Sequence, residues 1–194
     1  VTNWITNKPY NGRTAWLTYK HEPENDGWSA AQIQDWKDKT AQLVAIRNTT
    51  GRTDVRIVTT LMEWTLNPAS GRDFWGDWYV PEVDAYFWDP YNGGSNKIPP
   101  YYSDPVTNIF PRIKNVAQAT GKNWGIGEFG SWQISTDPTD TGRAQWIKDY
   151  MDACIADGRC EAICYWSDQV YHWEPNDTDP NRVRVVTSDH MIQD

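Results

Sequence analysis

The sequence predicts an α/β protein of the (β/α)8 TIM-barrel type, and three observations support this fold class. Short apolar runs alternate with amphipathic segments, which is typical of parallel strands joined by helices. The linkers after the apolar runs are long and rich in Trp, Asp, Asn and Gly, whereas those before them are short. In such barrels the loops at the carboxyl ends of the strands carry the functional residues. A doubly wound sheet is the alternative, but no glycine-rich phosphate fingerprint follows any strand.

Five strands and three helices account for most of the chain up to residue 166. The strands are predicted at Ala15–Tyr19, Val55–Met62, Val83–Trp88, Trp124–Phe129 and Ala162–Trp166, where β-branched and aromatic residues cluster. The helices are predicted at Ser29–Arg47, Val106–Thr120 and Thr141–Asp157. We expect Ser29 to cap the first helix, and Gly51, Gly121 and Gly158 to follow the helix ends. The segment after residue 166 is rich in Pro, Asn and Asp and is predicted to be loop.

Length and charge limit the classes of protein to consider. The chain has 194 residues and a formal net charge of -8, so a single domain over residues 1–194 is expected. The acidic balance argues against nucleic acid as a partner, and the apolar runs are too short for a membrane helix. We predict a secreted protein, although the N-terminus of this chain carries no signal peptide pattern.

The aromatic and cysteine residues give two further expectations. The chain has 13 Trp against 4 Phe, and indole suits surfaces that are apolar on one face and wet at one edge, as sugar binding requires. Cys154 and Cys160 are spaced to close a short loop, while Cys164 lies in an apolar run and is predicted to be a buried thiol. The spacing of Cys and His matches no metal site, so we expect no bound metal.

Two carboxylates come directly after predicted strands. Glu22 follows the first strand and Glu128 ends the fourth, between Gly127 and Phe129-Gly130. Carboxyls gathered at the mouth of a barrel have their pKa values pushed apart, so that one serves as an acid while the other stays ionised. Glycoside hydrolysis needs such a pair. His21 is predicted to orient an acid or to bind a sugar hydroxyl.

These motifs resemble the clan A glycoside hydrolases. The resemblance is carried by His21-Glu22, by Gly127-Glu128-Phe129-Gly130 and by Tyr165-Trp166, in this order along the chain. It is closest to family 26, which contains β-mannanases and related β-glycanases, because that family has His before the acid/base Glu where most of the clan has Asn.

The resemblance implies a role for several residues. Glu22 corresponds to the general acid/base and Glu128 to the nucleophile, with net retention of configuration and no cofactor. Tyr91 resembles the tyrosine that bonds the nucleophile, and Trp166 corresponds to the floor of the subsite at the cleaved bond. The predicted strands then correspond to strands four to eight, so that about five strand–helix units of the barrel are present. Such an open barrel edge favours self-association.

Other residues near the strand ends are candidates for binding a polysaccharide or oligosaccharide substrate. Those not yet named are Glu63, Trp64, Trp88, Asp89, Trp132 and His172. The predicted function is that of a retaining, endo-type hydrolase of a β-linked polysaccharide such as mannan or glucan. A non-catalytic, Trp-rich carbohydrate-binding protein on the same scaffold is the alternative. A metal-dependent hydrolase using His21, Glu22 and Asp26 is disfavoured, because no HxH or HExxH spacing is present.

Overall fold

Five parallel strands form a single sheet in sequential order. A computed structural model of the protein describes residues 2–7 and 12–166. The strands are β1 (Ala15–Leu17), β2 (Val55–Met62), β3 (Ala85–Asp89), β4 (Asn123–Phe129) and β5 (Cys160–Tyr165). Each strand pairs with the next in the chain. A doubly wound sheet reverses its strand order at a switch point, so the sequential order excludes that alternative and confirms the barrel type, with five strands present.

Helices cover one face of the sheet, and α-helices connect every pair of successive strands except β2 and β3, which are joined by 3-10 turns. They are α1 (Thr2–Asn7), α2 (Ala30–Thr50), α3 (Pro105–Asn108), α4 (Phe110–Thr120) and α5 (Thr141–Ile155). In α2 the expected cap is present: Ser29 Oγ accepts from the Gln32 N–H, and the Gln32 side chain accepts from the Ser29 N–H. Gly51 ends this helix at φ 66°, a conformation that favours glycine.

The helix predicted over 106–120 is divided into α3 and α4. Pro111 lies in the first turn of α4. Proline lacks an N–H and its ring excludes the preceding helical carbonyl, so it suits the start of a helix rather than its interior. The break falls at Ile109, two residues before Pro111, a boundary that the apolar pattern alone did not indicate.

The main core lies between the sheet and the helices, and many of the tryptophan side chains are buried in it. Trp36, Trp78, Trp88, Trp124 and Trp146 are all buried there. A smaller cluster of Val58, Ala85 and Phe87, with Ala162 packed against it, lies on the sheet face that points away from the helices, here called the inner face. Much of the tryptophan therefore packs the core rather than lining a binding surface.

One prediction about cysteine is wrong at β5, the strand at one edge of the sheet. Cys164 is exposed rather than buried. Its neighbours Ile163 and Tyr165 pack against the helix-side core, so Cys164 between them points to the other face of the sheet. Cys154 is buried and Cys160 is partly buried; both are free thiols, and the Cys160 thiol donates to the Ala162 carbonyl at 3.5 Å. Among the described residues no helix is both long and apolar enough to cross a membrane. Secretion and self-association through the open edge stay predictions.

Candidate active site

Glu22 lies in a tight turn just beyond β1. Its backbone has φ 46° and ψ 53°, a left-handed conformation that non-glycine residues adopt rarely. Its N–H donates to the carbonyl of Thr60 in β2 at 3.1 Å, and a 3-10 turn over Pro23–Asp26 follows. The Asn25 amide donates to Glu22 Oε2 at 3.0 Å, so the same turn orients the carboxyl group.

A bulge in β4 directs Glu128 to the inner face. Ile126 and Phe129 are both in the helix-side core, and three residue steps of β4 between them match two steps of β5. One extra residue in β4 therefore allows Glu128 as well as Gly127 to lie on the inner side. Bulges of this kind often occur next to active sites, where they re-aim a side chain.

Tyr91 approaches Glu128 from the loop after β3. A bridge between Tyr91 and Gly130 continues the pairing of β3 and β4 beyond the ends of both strands. The Tyr91 hydroxyl donates to Glu128 Oε2. One oxygen of the candidate nucleophile is therefore held by a neutral donor, which orients the carboxylate without cancelling its charge.

His21 joins two carboxyl groups. Its Nε2 donates to Asp89 Oδ2 at 2.6 Å and lies 3.2 Å from Glu128 Oε1. Asp89 ends β3 and is fully buried. A Cβ atom on Gly127 would lie 2.6 Å from Asp89 Oδ1, so the absence of a side chain at this position makes room for Asp89.

The hydrogen bond between His21 and Asp89 favours the protonated, charged imidazole. The hydrogen bond to Asp89 is the largest effect on His21 and raises its pKa to about 9, against the opposing effect of desolvation. Burial acts on the carboxyl group as well and raises the pKa of Asp89, because it penalises the charged form. The short contact favours the imidazolium–carboxylate pair. At neutral pH a positive charge therefore lies beside Glu128.

The two candidate catalytic carboxyls lie close together. One oxygen each of Glu22, Asp89 and Glu128, together with a ring nitrogen of His21, lie within 4.8 Å of one another. This grouping has the composition of a cation site. His21 Nε2 already contacts Asp89 and Glu128. A metal ligand must be a neutral imidazole, so a cation bound here would have to displace the His21 proton and replace these contacts.

Glu24 is a residue of this region that the sequence did not single out. It is only 5% exposed, and its Oε1 accepts a hydrogen bond from the Met62 N–H at the end of β2. Burial raises the pKa of Glu24 to about 7. The run His21-Glu22-Pro23-Glu24-Asn25-Asp26 contains three acids, and nothing in it separates the buried acid from the exposed ones. Asn25, which bonds Glu22, was missed for the same reason.

Two predicted substrate contacts need correction. Trp88 is fully buried in the helix-side core, so it is not a sugar platform. Asp89, the next residue, points to the opposite face but is also fully buried, and its contact is with His21 rather than with the surface. Successive side chains of a strand point to opposite faces, which is why these neighbours differ in their surroundings.

The other predicted substrate-binding residues differ in their exposure and contacts. The guanidinium of Arg72 lies 3.6 Å from the Trp64 ring centroid and covers one face of the indole. Glu63 is partly buried, and this burial raises its pKa. Trp132 and Trp166 are both partly exposed. The backbone N–H of Trp166 donates to the Phe129 carbonyl at 2.8 Å. His172 lies outside the described residues.

Solved structures of glycoside hydrolases share this fold. The catalytic domain of the family 26 endo-β-1,4-mannanase of Bacillus sp. JAMB-750 matches with a TM-score of 0.56 and 16% identity, over 88% of this chain and 43% of that chain. A β-glucuronidase of Faecalibacterium prausnitzii matches with a TM-score of 0.56 and 13% identity, over 87% of this chain and 27% of that one. For the Bifidobacterium dentium β-glucuronidase complexed with coumarin-3-O-glucuronide the values are 0.50 and 12%, over 78% and 24%.

At these identities the similarity shows the fold. No protein-family model matches the chain, and no curated protein matches it in sequence. The chain has the strand–helix arrangement of part of a TIM barrel, as found in clan A glycoside hydrolases, and the predicted resemblance is confirmed at that level. The chain spans less than half the length of each of these structures.

Proposed function

We propose that the chain carries the catalytic pair of a retaining, endo-type glycoside hydrolase that cleaves a β-linked polysaccharide such as mannan or glucan. The observation that carries this proposal is that Glu22 and Glu128 lie in one cluster, with one carboxylate oxygen of each within 4.8 Å of the other. So short an oxygen–oxygen distance favours the closer of the two carboxyl spacings known for glycoside hydrolases. Retaining enzymes hold their two carboxyls about 5–5.5 Å apart, whereas inverting enzymes need about 6.5–9.5 Å to admit a water molecule.

The proposed reaction is a double displacement. Glu128 attacks the anomeric carbon as its bond to the leaving oxygen breaks, and Glu22 gives its proton to that oxygen. A covalent glycosyl–enzyme ester results. In the second step Glu22 takes a proton from water, the resulting hydroxide attacks the anomeric carbon, and Glu128 leaves as a carboxylate. Two inversions at one carbon give net retention.

The neighbours of Glu128 suit the role of nucleophile. The imidazolium of His21 lies 3.2 Å from Oε1, and the hydroxyl of Tyr91 donates to Oε2. Both place a donor at the carboxylate oxygens and so orient the group that attacks carbon. Asp89 lies behind His21 and holds the positive charge in place. These groups are arranged before substrate binds, so no reorganisation is needed during the reaction.

The experiment compares Glu128→Ala and Glu22→Ala with Glu82→Ala, whose residue is exposed and serves as a matched control. The substrates are mannan, β-glucan, xylan and the corresponding 2,4-dinitrophenyl β-glycosides. Glu128→Ala should abolish hydrolysis of the polymer and of the aryl glycoside. Glu22→Ala should lose the polymer activity by about 100-fold or more while cleaving the aryl bond, since dinitrophenolate leaves without a proton.

Three results would refute the proposal. The first is wild-type protein that hydrolyses none of these substrates. The second is a loss of less than about tenfold in Glu128→Ala, which would remove Glu128 from the covalent step. The third is an equal loss on polymer and on activated substrate in Glu22→Ala, which would contradict the role of Glu22 as an acid.

A further inference from the structure

We propose that Glu24 is a positioning residue whose side chain completes the sheet beside β2 and thereby holds Glu22 in place. This inference rests on the proposed function, in which Glu22 is the acid/base. The starting point is the backbone of Glu22, which is strained by its left-handed conformation at φ 46°. Such a conformation persists only when the surrounding contacts over-determine it.

The pairing of β1 and β2 shows which backbone hydrogen bonds of β2 need other partners. β1 pairs with β2 only as far as Leu17 and Ile57. Beyond that point the backbone groups of β2 on this side need other partners, because unpaired groups in a buried strand are costly. The Thr60 carbonyl finds one in the N–H of Glu22, at 3.1 Å.

A parallel strand would supply the next partner from the same residue. In a parallel ladder, a residue that donates to the carbonyl of residue i−1 accepts from the N–H of residue i+1. Glu22 donates to Thr60, so its own carbonyl would be expected to accept from Met62. Instead the Glu22 carbonyl accepts from the Asn25 N–H at 3.2 Å, because the chain turns away there.

The carboxyl group of Glu24 takes the place of that carbonyl. Its Oε1 accepts from the Met62 N–H, and the side chain is buried against the end of the strand. The chain thus leaves the sheet at Glu22 while the Thr60 carbonyl and the Met62 N–H both keep a partner. Because Asn25, the next residue, donates to Glu22 Oε2 at 3.0 Å, the same contact also fixes the turn that orients the acid/base carboxyl.

Three variants separate the effect of the length of the Glu24 side chain from the effect of its charge. Glu24→Asp keeps the charge but is one methylene too short to reach the Met62 N–H from the same backbone. Glu24→Gln removes the charge but keeps an oxygen acceptor of the same reach. Asp26→Asn is the matched control, since Asp26 is an exposed acid in the same 3-10 turn. Circular dichroism and thermal unfolding establish that each variant is folded.

The kinetic readout is the ratio of polymer hydrolysis to 2,4-dinitrophenyl glycoside hydrolysis. Glu24→Asp should lower kcat/KM on the polymer by about tenfold or more, but on the activated substrate by less than about threefold, because only the first needs a well-placed acid. Glu24→Gln and Asp26→Asn should stay within about threefold of wild type on both. Equal losses of Glu24→Asp on both substrates, or a loss in Glu24→Gln matching that in Glu24→Asp, would overturn the inference.

A second readout does not depend on catalysis. Amide hydrogen exchange over residues 19–28 should be faster in Glu24→Asp than in wild type, and no faster in Glu24→Gln, since opening of the turn exposes its amides. Unchanged exchange in Glu24→Asp would overturn the positioning role of Glu24 even in an active enzyme. Faster exchange in Glu24→Asp, together with a wild-type protein that has no hydrolase activity, would leave that positioning role standing and refute only the proposed function.

Discussion

Glu24→Gln should stabilise the protein at alkaline pH and have little effect at acidic pH. The Glu24 carboxyl is buried, and this raises its pKa from 4.5 to about 7. The folded state therefore holds a proton that the unfolded state has released between these values, so the free energy of unfolding falls as the pH rises from about 4.5 to 7. Glutamine has no charge to desolvate and keeps the acceptor for Met62.

The size of the effect follows from the pKa. At 1.36 kcal/mol for each pKa unit, the penalty on the charged carboxyl is about 3 kcal/mol at pH 8 and below about 1 kcal/mol at pH 5. For a chain of this length, 3 kcal/mol corresponds to roughly 6–12 °C in Tm. Urea or thermal unfolding of wild type and Glu24→Gln at pH 5 and pH 8 measures the difference, with Asp26→Asn as the exposed control. A difference that does not change with pH would refute the burial of a charged group at Glu24.

Two further substitutions test other contacts of the site. Tyr91→Phe removes the donor to Glu128, and because a hydrogen bond to a charged group is worth about 1.5–3 kcal/mol, kcat on an aryl glycoside should fall about 10–100-fold; unchanged kcat would contradict the contact. Gly127→Ala places a Cβ 2.6 Å from Asp89 Oδ1, so urea unfolding should show a loss of about 1–3 kcal/mol. Gly93→Ala, whose added Cβ meets nothing within 4 Å, is the control, and equal effects of the two would contradict the close packing.

The strand positions were predictable because each strand is an apolar run bounded by polar linkers. The inner and outer faces were not, since both faces of the central strands are buried and no polar alternation marks them. Trp88 and Asp89 illustrate the consequence: they are adjacent in β3, yet one packs under the helices and the other bonds His21. A shift of one position reverses every side chain, and the sequence alone does not fix it.

The two carboxyls at the strand ends were predictable from their positions, but their supports were not. The orientation of Glu128 depends on one extra residue in β4, which only the pairing with β5 reveals. The role of Glu24 depends on the Met62 N–H of β2, which has no partner in β1 because the pairing of the two strands ends before it. Both features arise from contacts between distant parts of the chain, which local patterns do not encode.

The most direct test of the central claim is to trap the covalent intermediate. A 2-deoxy-2-fluoro β-glycosyl fluoride of the preferred sugar slows both steps but allows the fluoride to leave, so the glycosyl–enzyme accumulates. Intact-mass measurement followed by peptide sequencing should find one sugar per chain, attached to Glu128. A label on Glu22 or elsewhere, or turnover of substrate with no trapped ester, would contradict the assignment of Glu128 as the nucleophile of a retaining hydrolase.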